Sequence, residues 1–215
     1  MVDAVIFDVD GTLVDSLDLL AQAWGEALAQ LGRPVNLWAV RAQLGEQTAE
    51  PVAGILDASE QAQLGGQLEA LRAEHFRVEG LSRVLPFPRV RALFQALAER
   101  GVKRALTTTG RREELEHHVR LCNLTGLVDV QVAGSASGLY RAALDRLGGL
   151  SPSRVAAAAK APRDVEAARK AGLHTVGFTC SGASEEALRT AGAEAVYAGP
   201  GDLLDHLETS PLGVS

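Results

Sequence analysis

The sequence predicts an α/β protein, a doubly wound parallel sheet carrying an inserted α-helical segment. Three observations predict it. An apolar strand-like run opens the chain and is broken at once by "VDGT". From Leu85 onward, short β-type runs alternate with helical patterns, which gives βαβ units and a parallel sheet wound by right-handed crossovers. Between these two regions no convincing strand occurs, over a length too great for a crossover. The predicted division is therefore an α/β core of residues 1–14 and 85–215, with an α-helical cap of residues 15–84.

The elements follow in order. "DAVIFD" is the first strand, and Asp15 to Leu31 follow as a helix with Leu19, Leu20, Ala23, Ala27 and Leu31 on one stripe. Pro34 to Gly80 read as two or three helices, punctuated by Gly45, Pro51, Gly54 and the "LGG" of Leu64 to Gly66. A helix over Arg89 to Arg100, stopped by Gly101, leads into the strand "VKRALT". A helix from Arg111 to Cys122, the strand "LVDVQVAG" and a helix near Leu139 to Leu147 come next. The run "RVAAAA" is a buried strand, and a helix starts after Pro162 with Val165, Ala168 and Ala171 on one face. The strands "LHTVGF" and "AEAVYAG" and helices near Glu185 to Ala191 and at "GDLLDHLE" close the pattern.

Composition narrows the class. At 215 residues the chain can bury a sizeable core, and 47% hydrophobic with 22% charged residues exclude a disordered one. A net charge of −6 argues against a general nucleic-acid binder, which needs a basic face. No apolar run reaches membrane-spanning length, and Asp3 stands where a secretory leader carries positive charge. The expectation is a cytoplasmic protein that binds neither nucleic acid nor membrane; its oligomeric state is not written in the sequence. Cys122 and Cys180 lie far apart with no metal spacing and read as free thiols.

Each central strand ends in polar residues, and parallel strands bring those ends to one edge, where ligands bind in open α/β sheets. The first strand supplies Asp8, Asp10, Gly11 and Thr12. "VKRALTTTG" supplies Thr107, Thr108 and Thr109 before Gly110, "VDVQVAGSAS" supplies Ser135, and the alanine strand supplies Lys160 and then Asp164. A lone Asp-x-Asp is ordinarily a turn or a helix cap. Here Gly-Thr-Leu and a further Asp-Ser follow it, in "FDVDGTLVDS".

With these residues in view the sequence resembles the haloacid dehalogenase (HAD) superfamily, chiefly its phosphatase-like members with a helical cap. "VIFDVDGTLVDS" is similar to that family's first motif. "LPFPRVRALFQALAERGVKRALTTTGRREELEHHV" resembles the return into the core and the second motif, and "RDVEAARKAGLHTVGF" the helix and strand after the fourth. The resemblance implies a Rossmann-like core and hydrolysis of a small phosphorylated molecule. By position it implies that Asp8 is the nucleophile, a carboxylate being anionic at neutral pH without a base. Asp10 would protonate the leaving group and then activate water. The backbone of Gly11 and Thr12 and the Thr108 hydroxyl would hydrogen-bond the phosphoryl oxygens, with Thr109, Gly110 and Ser135 beside them. The family also implies Mg²⁺, which Asp8, Asp10 and Asp164 would hold.

Two positions depart from the pattern. Ser135 stands where the third motif supplies a lysine, and Lys160 stands where the fourth supplies a metal-binding aspartate. Lys160 in a ligand's place argues against Mg²⁺. Three carboxylates and one lysine leave the site at −2, one charge more negative than the family's metal-loaded arrangement. Two unit charges about 4 Å apart interact by roughly 4 kcal/mol at an effective dielectric of about 20, so the lysine recovers much of the lost attraction. The expectation is that its ammonium sits near the vacated metal position and pairs with Asp8 or Asp10.

Three functions compete. An intact first motif favours a phosphatase acting through an aspartyl-phosphate, with activity reduced or independent of metal. Ser135 and Lys160 favour a catalytically inactive HAD-fold binding or assembly protein. A haloacid dehalogenase is disfavoured by Asp10 and by the missing lysine. Other features read as structure: His117 and His118 point to different helix faces, His75 with Arg72 and Arg77 to a solvated face, and Trp24 and Trp38 to packing within the cap.

Overall fold

The structure is a computed structural model that describes residues 2–44, 55–134 and 138–213. Ser135, Gly45, Pro51 and Gly54 lie outside the described residues. The chain forms two compact units, Met1–Asp15 with Pro86–Ser215, and Ser16–Leu85.

The first unit is built on a sheet of six parallel strands among the described residues: β1 (Ala4–Asp8), β4 (Lys103–Thr108), β5 (Val130–Ala133), β6 (Val155–Ala159), β7 (His174–Phe178) and β8 (Ala195–Tyr197). Their order across the sheet is β5-β4-β1-β6-β7-β8. The helices are α4 (Val90–Glu99), α5 (Arg112–Leu121), α6 (Leu139–Arg146), α7 (Pro162–Lys170), α8 (Glu185–Ala191) and α9 (Pro200–Asp205). Strands added after β1 run first to one side of it and then to the other. The winding direction therefore reverses about β1, the place in such sheets where ligands bind at the strands' carboxyl ends.

Alternation along β1 fixes the two faces. Ala4 and Ile6 join Ala105, Val132, Leu144, Val155 and Ala157 in one buried cluster. Phe7 points the other way and packs its ring 4.8 Å from that of Phe94 on α4. β6 is buried along its whole length although alanine is a poor strand former. It is held by pairing on both sides, Ala4↔Val155 through Phe7↔Ala158 with β1 and Ala156↔His174 through Ala159↔Gly177 with β7.

The second unit is helical among its described residues: α1 (Leu17–Gln30), α2 (Leu37–Ala42) and α3 (Ala58–His75), the last continuing through a π-turn at Phe76–Gly80. The short strands β2 (Val14–Asp15) and β3 (Leu85–Pro86) pair where the chain leaves the first unit and re-enters it.

Four sequence expectations are corrected here. The "LGG" does not interrupt the chain: Gly65 and Gly66 lie inside α3. A capping box starts that helix, with Glu60 N–H donating to Asp57 Oδ1 at 2.8 Å and Asp57 N–H to Glu60 Oε2 at 3.2 Å. Two glycines cost about 1 kcal/mol each against alanine, which a helix of this length absorbs. Of the predicted α1 stripe Leu20, Ala23 and Ala27 are buried, together with Leu17, Ala21, Trp24 and Leu28, while Leu19 and Leu31 are only half-buried. Arg72 is not solvated; it is buried, pairs with Glu69 and lies over the Trp24 ring. Trp38, by contrast, is 78% exposed and packs little.

Candidate active site

The β1 turn is dictated locally. Gly11 takes a φ of +71°, in the left-handed region where a side chain is penalised, and this folds the chain back after Asp10. Gly11 N–H donates to Val14 O at 2.8 Å and Thr12 N–H to Val9 O at 3.2 Å. Both donors expected at the phosphoryl oxygens are thus engaged in closing the turn. The fold places Asp8 at the last pairing position of β1, opposite Thr107 on β4.

Two clusters form at this edge. In the first, Lys160 comes one residue after β6 and its ammonium, in a residue only 6% exposed, donates to Asp8 Oδ2. The same nitrogen lies 3.8 Å from Asp164 Oδ2, an oxygen that is buried and has no hydrogen-bond partner. Arg163 Nε lies 3.4 Å from the other Asp164 oxygen, Oδ1. Thr12 Oγ1 donates weakly to Asp8 Oδ2 at 3.5 Å. In the second, Thr108 Oγ1 donates to Asp10 Oδ2 at 2.8 Å while accepting from Gly110 N–H at 2.9 Å. Because the hydroxyl accepts from Gly110, its one proton is directed at Asp10, which it orients.

The helix α7 explains why Asp164 faces this edge. Pro162 occupies its first turn, where its missing N–H costs nothing, and Asp164 sits in the same turn, favourably placed at the positive end of the helix dipole. Tyr140 reaches across from α6 and donates its hydroxyl to the Asp164 carbonyl at 3.4 Å. Thr109 is exposed just beyond β4, apart from both clusters.

Electrostatics follow from burial first. Burial raises the Asp8 carboxyl, the Lys160 ammonium pulls it back, and Asp164 and Asp10 raise it again, to about 6 against an ordinary 3.8. Burial alone would lower Lys160, yet the Asp8 and Asp164 carboxylates and the Asp8 hydrogen bond outweigh it and hold the ammonium above its usual range. The Tyr140 phenol is pushed well up by burial and by Asp164 and Asp8, so it stays protonated. His118 is held down chiefly by burial, against the pull of Asp10. Among the described residues, no three Asp, Glu, His or Cys side chains gather in a group that could hold a metal ion.

Sequence reasoning brought Asp8, Asp10, Thr12, Thr108, Gly110, Lys160 and Asp164 to one edge. It missed Arg163 and Tyr140. Arg163 carried a signal in its adjacency to Asp164, whereas the Tyr140 contact depends on how α6 packs and had none.

Comparison with known proteins shows the family. The family model described as haloacid dehalogenase-like hydrolase matches residues 2–172. The chain is 31% identical to a phosphoglycolate phosphatase of Rhodospirillum rubrum, over 92% of this chain and 87% of that one. It is 30% identical to a phosphorylated carbohydrates phosphatase of Thermotoga maritima, over 96% and 98% of the two chains. Its fold superposes on the crystal structure of a hydrolase from Pseudomonas syringae with a TM-score of 0.82 at 26% identity, covering 96% of this chain and 98% of that one. In the described residues no helix is long and apolar enough to cross a membrane. With paired aspartates closing the first strand and a match across most of the core, the chain belongs to the haloacid dehalogenase-like hydrolases.

Proposed function

We propose that this protein is a phosphatase of small phosphorylated metabolites. The observation that carries the reading is the division of labour between two aspartates two residues apart. Asp8 is half-buried and paired to an ammonium, while Asp10 is aimed by the Thr108 hydroxyl. The relatives named as phosphoglycolate and phosphorylated carbohydrates phosphatases support a small phosphorylated substrate.

In this reading an Asp8 oxygen attacks phosphorus, the bond from phosphorus to the ester oxygen breaks, and protonated Asp10 gives its proton to the departing alkoxide. Asp10, now a carboxylate, takes a proton from water as that water attacks the aspartyl-phosphate. Inorganic phosphate leaves and Asp8 is restored. With its carboxyl near 6, Asp8 remains mostly anionic at neutral pH. The Lys160 ammonium orients Asp8 and opposes the charge gathering on the phosphoryl oxygens.

HAD phosphatases generally use Mg²⁺. The residues present here do not fit that ion, because the ammonium lies against Asp8 and within 3.8 Å of Asp164, in the position bridging the two carboxylates.

The test is hydrolysis of a panel of phosphate esters, phosphoglycolate and sugar phosphates included, by the unaltered chain and by Asp8→Asn. Turnover that vanishes in the variant supports the proposal. A folded chain that hydrolyses none of them, or an Asp8→Asn protein as active as the parent, overturns it in favour of a binding or assembly protein.

A further inference from the structure

We infer that Lys160 and Arg163 together replace the charge of a divalent ion in this site, and that the site as built excludes such an ion. Each oxygen of Asp164 faces a cation, Lys160 Nζ at 3.8 Å from Oδ2 and Arg163 Nε at 3.4 Å from Oδ1. Asp8 shares the first of these cations through a direct hydrogen bond. Two side chains of unit charge supply the same total as one Mg²⁺, and three carboxylates against them leave a single negative charge.

Exclusion follows from how the ammonium is held. Its backbone continues β6, which is paired on both sides, and the residue is only 6% exposed, so the ammonium has little solvent to turn into and would leave two carboxylates if it moved. A dication bridging Asp8 and Asp164 would sit within a few ångströms of it and meet direct repulsion. It would also have to capture Asp8 Oδ2 from its present donor. Mg²⁺ is ordinarily held through one or two carboxylates with water completing its shell, and here the ammonium lies against the two carboxylates that would serve. The buried, unbonded Asp164 Oδ2 is the oxygen that a change at position 160 would release as a ligand.

The consequence for catalysis rests on the phosphatase reading: turnover by this chain is indifferent to chelators and to added divalent ions. The exclusion itself is tested without turnover, by titrating Mn²⁺ alone and following bound ion by electron paramagnetic resonance. The unaltered chain is expected to show no stoichiometric site at millimolar Mn²⁺. Lys160→Asp is expected to bind one ion per chain at least about a hundredfold more tightly, and Asp8→Asn added to it should abolish the gain. Should Lys160→Asp fail to fold, Lys160→Met keeps the aliphatic stem, removes the charge and is expected to gain about tenfold.

Tight Mn²⁺ binding by the unaltered chain that is lost in Asp8→Asn overturns the inference, as does a folded position-160 variant with no gain. A parallel assay in excess chelator separates the two readings. If no ester is hydrolysed under any condition while the Mn²⁺ titrations behave as expected, the phosphatase reading falls and the replacement stands. If turnover disappears in chelator and the unaltered chain binds Mn²⁺ at Asp8, the replacement falls and the phosphatase reading stands.

Discussion

Strands β1 and β6 lie side by side and end at the same edge, yet their ends are specified in opposite ways. The end of β1 is shaped by its own neighbours. Gly11 takes the left-handed conformation, and backbone bonds from Gly11 to Val14 and from Thr12 to Val9 lock the turn that presents two acids. The end of β6 has no such turn. Four alanines carry no polar group, and where Lys160 emerges depends on pairing with β1 and β7, strands distant in sequence. One edge thus combines a locally encoded pair of acids with a cation delivered by long-range registry.

The largest effect is expected at Asp8. Asp8→Asn should lower turnover of any ester the protein hydrolyses by at least about a thousandfold, because the amide has no nucleophilic oxyanion; a steady-state assay reads it. Next is the cation. Lys160→Ala leaves Asp8 without its cation and Asp164 with Arg163 alone, and should cost about 3–5 kcal/mol of unfolding free energy near neutral pH, measured by urea denaturation.

The pH dependence of that loss has a definite sign. A carboxyl raised to about 6 binds its proton more tightly folded than unfolded, so the Asp8 contribution to stability falls as pH rises from 3.8 through about 6. Without the ammonium the carboxyl rises further and the window extends upward. The penalty of Lys160→Ala should therefore be small near pH 5 and grow as pH rises past about 6, and a penalty that is flat with pH would contradict the pairing.

Smaller effects sharpen the β1 side. Thr108→Val removes the hydroxyl that orients Asp10 and should reduce kcat about tenfold to a hundredfold, with a shifted pH profile and little change in fold. Gly110→Ala is the mildest. Its new Cβ would lie 2.5 Å from Glu114 Oε2 and 3.2 Å from Thr108 Oγ1, so a buried carboxylate that accepts the Arg111 N–H must move. The expected loss is about 1–2 kcal/mol of stability, read as a lowered Tm.

The same contrast explains what could be read in advance. The strands, the parallel winding and the Asp8, Asp10 and Thr108 positions were legible because they rest on periodicity and adjacent residues. Gly65 and Gly66 misled because punctuation is a local signal, while α3 is carried by its capping box and its length. Trp38 misled because hydrophobic character alone does not say which residues find a surface to cover. The turn bonds of the Gly11 and Thr12 N–H groups were not legible, because a motif names residues and not the partners their N–H groups take. Arg163 was missed because its role depends on which oxygen of Asp164 the neighbouring cation leaves open.

The alanine run has a consequence for folding fidelity. Four identical small residues offer nothing by which a slipped alignment could be told from the correct one, and a shift by a single residue reverses every side chain. Discrimination must come from the ends, Val155 at entry and Lys160 at exit. Moved one place inward, the lysine would carry its charge into the apolar interior away from its acids, so the residue that sets the chemistry of this edge also proofreads the assembly of the strand that bears it.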